Sequence, residues 1–239
     1  MTFTFKKFGI TFTDKWNTTD ISFVDLFKIT SYKGGNDLPL FPLFIKENKR
    51  SIRNNLQDDL EKIWSELKKN TRNEINKISK QSPDFEINRI SEEEFILLYN
   101  KFVKEKKLNL SLISINRLKK YGNNICYTST TLNGEWCSIH VYLCIKDYVE
   151  LLYSITNSKV DNKTIGMINR FHHWSDFKYF KEKNYNIYDW GGIAFGELDG
   201  ISKFKLSFGG NEIIYPVYYS PFYFITLVIK RTLKNENDY

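Results

Sequence analysis

The stretch NNICYTSTTLNGEWCSIHVYLCI, residues 123–145, decides how the rest of the chain can be arranged. Two alternating apolar runs flank Asn133-Gly134, the dipeptide best suited to the two left-handed positions of a tight hairpin turn. A long antiparallel hairpin is therefore expected in mid-chain. A doubly wound nucleotide fold, built from parallel strands and crossover helices, does not place one there.

Helical patterns lie on both sides of the hairpin. Upstream, DDLEKIWSELKKNTRNEINKISK (58–80) keeps Leu60, Ile63, Trp64, Leu67, Thr71, Ile75 and Ile78 on one face, which predicts a single amphipathic helix. Asp58 and Asp59 suit its N-terminal end, and Lys68, Lys69, Arg72 and Asn76 cluster on another face as a solvated surface or a contact for an anionic partner. Pro83 stops this helix. A short strand FEINRI follows, and then a second helix from Ser91, where SEEEF has the capping-box pattern. Downstream, TIGMINRFHHWSDFKYFKEKN (164–184) repeats Ile168, Phe171, Trp174, Phe177 and Phe180 every third residue. Because a turn takes about 3.6 residues, that stripe drifts around the cylinder and predicts burial on more than one side. IYDWGGIAFGELDGISKFKLSFGG (187–210) reads as two strands with glycine ends, EIIYPVYYS as another strand, and a helix closes the chain from about Pro221 to Lys234. Residues 1–46 read as irregular strands with turn candidates KGGND and LPLFP. These elements make an α+β protein with a mixed sheet and helices on both faces.

With 239 residues, 41% of them hydrophobic and 16% aromatic, the chain can bury a substantial core. The net charge of +7 fits either a compositional bias toward Lys, Asn and Ile or the steering of an anionic substrate. Cys126, Cys137 and Cys144 lie in apolar runs without CxxC spacing and read as buried free thiols of a reducing compartment. The first residues contain no signal-like apolar run, so a cytoplasmic location is expected. IIYPVYYSPFYFITLVIK (213–230) is interrupted by Pro216, Ser220 and Pro221. It reads as strand and helix docking on a core, with peripheral membrane contact as the alternative.

No P-loop, GxGxxG, HExxH or GxSxG is present. His172 and Asp176 are four apart and can share a helix face, but no third ligand stands at a suitable spacing, so no metal site is expected; His140 reads as a core or sheet-face residue. Asp189, at a strand end beside Tyr188 and Trp190, is either a partly desolvated general base or a turn former bonding backbone amides. If KFKLSFGG is a strand, Lys203 and Lys205 share one face opposite Phe204. That lysine pair would polarise a carbonyl or hold a phosphate, or it would only guard a sheet edge. NKTIGMINR would set a helix N-terminus against a pyrophosphate, with Arg170 nearby.

Three segments in this order resemble one family. LKKNTRNEINKI (67–78) is similar to the TRNEIR-like helix of the Fem-type peptidyltransferases; IGMINRFHHWSDFKYFKEKNYNIYDWGGI (165–193) to their IGRANR-lHW-yFK-YDfGG pattern; and ISKFKLSFGG (201–210) to their KFKxxFGG. The resemblance implies a GNAT-type acyltransferase fold, with a mainly antiparallel, twisted sheet that splays open for an acyl donor. It divides the chain into an N-terminal partial module, 1–81, and an acyltransferase core, 82–239. Fem enzymes transfer an amino acid from aminoacyl-tRNA to a muropeptide amine, and shorter relatives look like N-acyltransferases that use acyl-CoA. The chain is too short for two complete modules and lacks a coiled-coil arm, which favours acyl-CoA as donor over aminoacyl-tRNA. By position, the resemblance implies Asp189 and Lys205 as catalytic residues, with Arg72, Asn73, His173, Trp174, Trp190, Phe204 and Phe208 at the substrate. Gly166, Asn169 and Arg170 would face the donor, although Met167 departs from the small residues of the pattern. The expected acceptor is an amine, on an amino sugar or peptide, of a cell-envelope precursor, small or lipid-linked; a catalytically inactive binding protein on the same scaffold is the other outcome.

Overall fold

The computed structural model describes residues 1–7, 9–18, 21–34, 43–108, 110–193 and 200–235. The turn candidates at 35–42 lie outside the described residues. In chain order the elements are β1 (Thr2–Lys7), β2 (Ile10–Trp16), β3 (Ile29–Lys33), β4 (Ile45–Asn55), α1 (Leu60–Glu66), α2 (Lys69–Ser79), β5 (Asp84–Ile87), α3 (Glu92–Glu105), α4 (Ile115–Lys119), β6 (Ile125–Leu132), β7 (Glu135–Ile145), β8 (Tyr148–Thr156), α5 (Asn162–Glu182), β9 (Ile187–Asp189), α6 (Gly200–Leu206), β10 (Asn211–Tyr219) and α7 (Pro221–Asn235). The chain divides into two compact units, Met1–Arg50 with Ile214–Tyr239, and Ser51–Ile213. The 81/82 boundary expected from the sequence falls inside the second.

In the first unit, β1 pairs antiparallel with β2, β2 parallel with β3, and β3 antiparallel with β10. A small core of Leu26, Tyr32, Phe44 and Tyr218 fills it. Among the described residues no helix is long and apolar enough to cross a membrane.

The second unit grows from the predicted hairpin. Asn133 and Gly134 both have positive φ, at 54° and 78°, and join β6 to β7. Antiparallel pairing adds β5 outside β6 and β8 outside β7, and β9 then joins β8 in parallel and β4 antiparallel. Alternation along β7 assigns the helices to two faces. Ile139 and Val141 meet Phe95, Tyr99 and Val103 of α3. Tyr142, on the other face, joins the core formed with α1, α2 and α5 through Ile63, Ile75, Phe177 and Phe180. Ser91 caps α3 by accepting from Glu94 N at 3.1 Å, as the sequence pattern predicts. The α5 helix buries His172, His173, Ser175 and Asp176 as well as Ile168, Phe177 and Phe180 of its apolar stripe, so it is enclosed on more than one side; Phe171 and Trp174 are half-buried.

Two expectations are corrected. The helix predicted over 58–80 is broken: Leu67 and Lys68 are extended, and Lys68 N bonds Ser207 O at 2.9 Å instead of continuing the helical ladder. KFKL lies in α6 and is not a strand. Phe204 and Phe208, four apart, turn together onto Trp190 and His173, and this packing overrides the strand-like alternation. On a helix, Lys203 and Lys205 diverge by about 200° and share no face.

A register shift between Val141 and Tyr142 leaves Leu152 of β8 without an opposite partner, a bulge that increases local twist. The parallel pairing of β8 with β9 ends immediately before it, at Glu150 and Asp189. Past that point Gly191 runs so close to β8 that an added Cβ would lie 2.0 Å from the Leu151 carbonyl oxygen. Gly191→Ala therefore meets both a left-handed φ of +72° and backbone it cannot displace, whereas Gly134→Ala, at φ +78°, has open space around it. Urea denaturation is expected to show Gly134→Ala losing about 1 kcal/mol and Gly191→Ala losing clearly more.

Candidate active site

Where β8 and β9 part there is a cavity of about 390 Å³, lined by Leu151–Ser154 of β8, Asn169 and His173 of α5, Trp190 and Gly191 after β9, and Gly200, Ile201, Phe204 and Lys205 of α6. Its size suits a small substrate or the end of a larger one. Five of the residues expected from the sequence meet there: Asn169, His173, Trp190, Phe204 and Lys205. The strand ends bring in Trp190, and the α5 and α6 helices bring in the other four.

Lys205 Nζ donates to the carbonyls of Trp190 and Gly192 at 2.8 and 2.7 Å, which fixes the glycine turn and sets an ammonium in the cavity wall. Trp190 is held in turn by Asn54, whose Oδ1 accepts from Nε1 at 2.8 Å. The Phe204 ring covers His173 at 5.6 Å and carries the Arg170 guanidinium at 5.0 Å on its face.

The remaining expected residues lie elsewhere. Asp189 is fully buried and does not line the cavity. It accepts from Ser51 Oγ, from Arg53 Nε at 2.7 Å and from Gly191 N at 2.9 Å. With three donors on a sealed carboxylate it is the turn former of the two readings, not a base open to substrate. Ser51 Oγ also accepts from Gly192 N at 3.1 Å, so both turn amides are satisfied. Arg72 donates to Ser65 O at 2.6 Å, serving the C-terminal carbonyls of α1, and Asn73 is exposed on α2. Trp174 packs on Trp64 at 4.8 Å, and Phe208 is a core residue.

The donor-side assignment also changes. At the start of α5, Asp161 Oδ1 accepts from the amides of Lys163 and Thr164 at 3.1 and 3.0 Å. A carboxylate of the chain therefore fills the seat proposed for a pyrophosphate. Arg170 pairs with Glu74 at 3.1 Å and donates to Gly166 O at 3.0 Å, so it braces α5 on α2.

Sequence reasoning missed the polar chain behind the cavity. His140, Tyr142, His172, Asp176 and Tyr188 are all fully buried. Asp176 Oδ2 accepts from Tyr142 at 2.6 Å and from His140 Nδ1 at 2.7 Å. His140 Nε2 lies 3.0 Å from Asn169 Oδ1, and the two tyrosine hydroxyls are 2.7 Å apart. The available signal was the alternation of His140 and Tyr142 on one face of β7. His140, His172 and Asp176 bring ligand-type atoms within 4.8 Å of one another. The His140 and His172 rings, however, stack 3.6 Å apart and nearly parallel, so their in-plane lone pairs cannot converge on one ion. Both nitrogens of His172 already bond Thr128 and Ser138, at 2.8 and 2.6 Å.

Burial holds His172 and His173 well below the usual imidazole range, with the neighbouring His140 adding to the effect. Both rings are neutral when folded and take up protons on unfolding below about pH 6.5. Stability is then complete above that pH and falls as pH drops from it toward the folded values, by about 1.4 kcal/mol per pH unit for each ring. Urea midpoints measured from pH 7.5 to 5 should show this slope, and His172→Gln should remove its share. Asp189→Asn is expected to cost on the order of 3 kcal/mol by leaving Arg53 without its anion, a loss visible in the same assay without substrate.

No known family profile matches the sequence, and no curated protein is significantly similar to it. Solved structures do match in fold. FemX superimposes with a TM-score of 0.60 at 9% identity, over 90% of this chain and 81% of its own. The L-PGS from Bacillus licheniformis gives 0.56 at 10% identity, over 80% of this chain and 68% of its own. A conserved Bacteroides thetaiotaomicron protein of unknown function gives 0.52 at 15% identity, over 80% and 69%. The fold is the one shared with FemX and the L-PGS.

Proposed function

We propose that this protein is an acyltransferase that delivers an activated acyl group to an amine, with an aminoacyl ester of tRNA as the donor. The observation that carries the reading is the cavity at the parting of β8 and β9, whose wall holds a lysine ammonium and a neutral imidazole. Acyl transfer to nitrogen needs a deprotonated amine and a donor for the developing oxyanion, and these two groups supply that chemistry. The open cavity also favours an enzyme over a binding scaffold filled by its own side chains.

The choice of donor rests on α5. An acyl-CoA would bring a pyrophosphate to a helix end already occupied by Asp161. An aminoacyl ester makes no such demand, and the exposed Lys68 and Lys69 on the neighbouring α2 turn offer a phosphate contact for tRNA. The likeness to FemX supports this direction. The acceptor class carried forward is the amine of a cell-envelope precursor.

Transfer assays with charged tRNA and with acetyl-CoA, each with peptide and amino-sugar amines, test the reading. Turnover with charged tRNA is expected to weaken as salt rises, with a log–log slope of about 0.7–0.9 per phosphate contact. Salt-insensitive transfer from acetyl-CoA would reassign the donor, and no transfer from either would remove the reading. Lys205→Met keeps the side-chain stem and is expected to lower kcat about 100-fold or more.

A further inference from the structure

The buried polar chain behind the cavity fixes the state of its own hydrogens. The Tyr142 hydroxyl donates to Asp176 Oδ2, so toward Tyr188, 2.7 Å away, it can only accept. Tyr188, having donated to Tyr142, can only accept from His173 Nδ1 at 3.0 Å. Nδ1 therefore carries the ring hydrogen, and Nε2 carries the lone pair. Nε2 has no hydrogen-bond partner among the described residues, since the bond His173 makes runs through Nδ1. His173 is itself part of the cavity wall, and Nε2 is its ring nitrogen left for a group bound there.

We propose that His173 Nε2 is the general base for the attacking amine, and that Asp176, Tyr142 and Tyr188 are positioning residues that fix its tautomer. This inference rests on the transferase reading and adds the group that moves the proton. As the amine nitrogen bonds the carbonyl carbon, the carbonyl electron pair moves to oxygen and Nε2 takes the departing N–H proton. On collapse the ester C–O bond breaks, and the proton passes from Nε2 to the leaving oxygen, which restores the neutral ring. The transient imidazolium is compensated by the Asp176 carboxylate, whose Oδ2 lies 3.9 Å from His173 Nδ1 and bonds the Tyr142 end of the tyrosine chain, the logic by which a buried aspartate serves a catalytic histidine.

The charged and titratable neighbours agree with these roles. From β7, the His140 ring stacks on His173 at 4.1 Å. His172, Arg170 and Asp176 face it from α5, Lys205 from α6 and Tyr188 from β9. Burial first, and then His140, His172, Lys205 and Arg170, keep the ring unprotonated near neutral pH, so its lone pair is not blocked by a proton.

Side-chain ¹⁵N NMR of histidine-labelled protein tests the assignment without any substrate, so it stands or fails apart from the transferase reading. At pH 7 the expected result is a neutral His173 with hydrogen on Nδ1, a preference lost in Tyr188→Phe. An Nε2–H tautomer or an imidazolium at pH 7 would overturn the inference. With the donor that turns over, Tyr188→Phe is expected to lower kcat about 10-fold with KM unchanged. His173→Ala should lose about 100-fold or more and recover in added imidazole. His173→Gln gives the same comparison if the alanine variant does not fold. Wild-type kcat in either the tyrosine or the histidine variant would refute the base while leaving the transferase reading in place.

Discussion

The carboxylate of Asp189 joins two parts of the second unit that are far apart in sequence, β4 and the turn after β9. Ser51 and Arg53 of β4 donate to it from one side, and the Gly191 amide donates from the turn that follows β9. An ionised group without solvent is costly unless it is fully bonded, so this arrangement tolerates little displacement of any partner. It fixes where β9 stops being a strand, and that point is where β8 and β9 part. The cavity, the hold of Lys205 on the turn and the seat of Trp190 all follow from it.

The other constraint is the alternation of β7. A strand that sends Ile139 and Val141 to α3 must send His140 and Tyr142 to α5. Placing a histidine and a tyrosine on the side of α5 that carries Asp176 creates a polar chain inside an apolar layer. Such a chain is tolerated when its members satisfy one another, and the tyrosine hydroxyls do so here as donor to one side and acceptor to the other. A core built this way has direction: it conveys the negative charge of Asp176 to the face of His173.

What could be read from the sequence were features decided within a few residues. The Asn133-Gly134 turn, the Ser91 cap and the helical state of α5 depend on local backbone preference and are where the pattern puts them, with α5 starting and ending two residues before the expected 164–184. The Asp161 cap was of the same kind, since an aspartate directly before a helical run is a start signal, and reading it would have argued against a pyrophosphate there. Features decided by distant partners were not legible. The break after α1 depends on the carbonyl of Ser207, and the helical state of residues 203–206 depends on aromatic rings from α5 and the β9 turn. The resemblance to Fem-type enzymes did gather Asn169, His173, Trp190, Phe204 and Lys205 into one place. It could not separate Asp189 from them, because an acid beside a cavity and one beneath it share the same sequence neighbourhood.

The near-contact of Gly191 with the Leu151 carbonyl bears on how this site can vary. The narrow end of the cleft is gauged by main chain against main chain, and no side chain enters that dimension. Leu152, Tyr153 and Ile201 line the cavity beyond that point, so replacing them alters its depth, polarity and wall shape. The width of the cleft at that end and the shape of its wall are thus set by separate parts of the molecule, the first by backbone and the second by side chains.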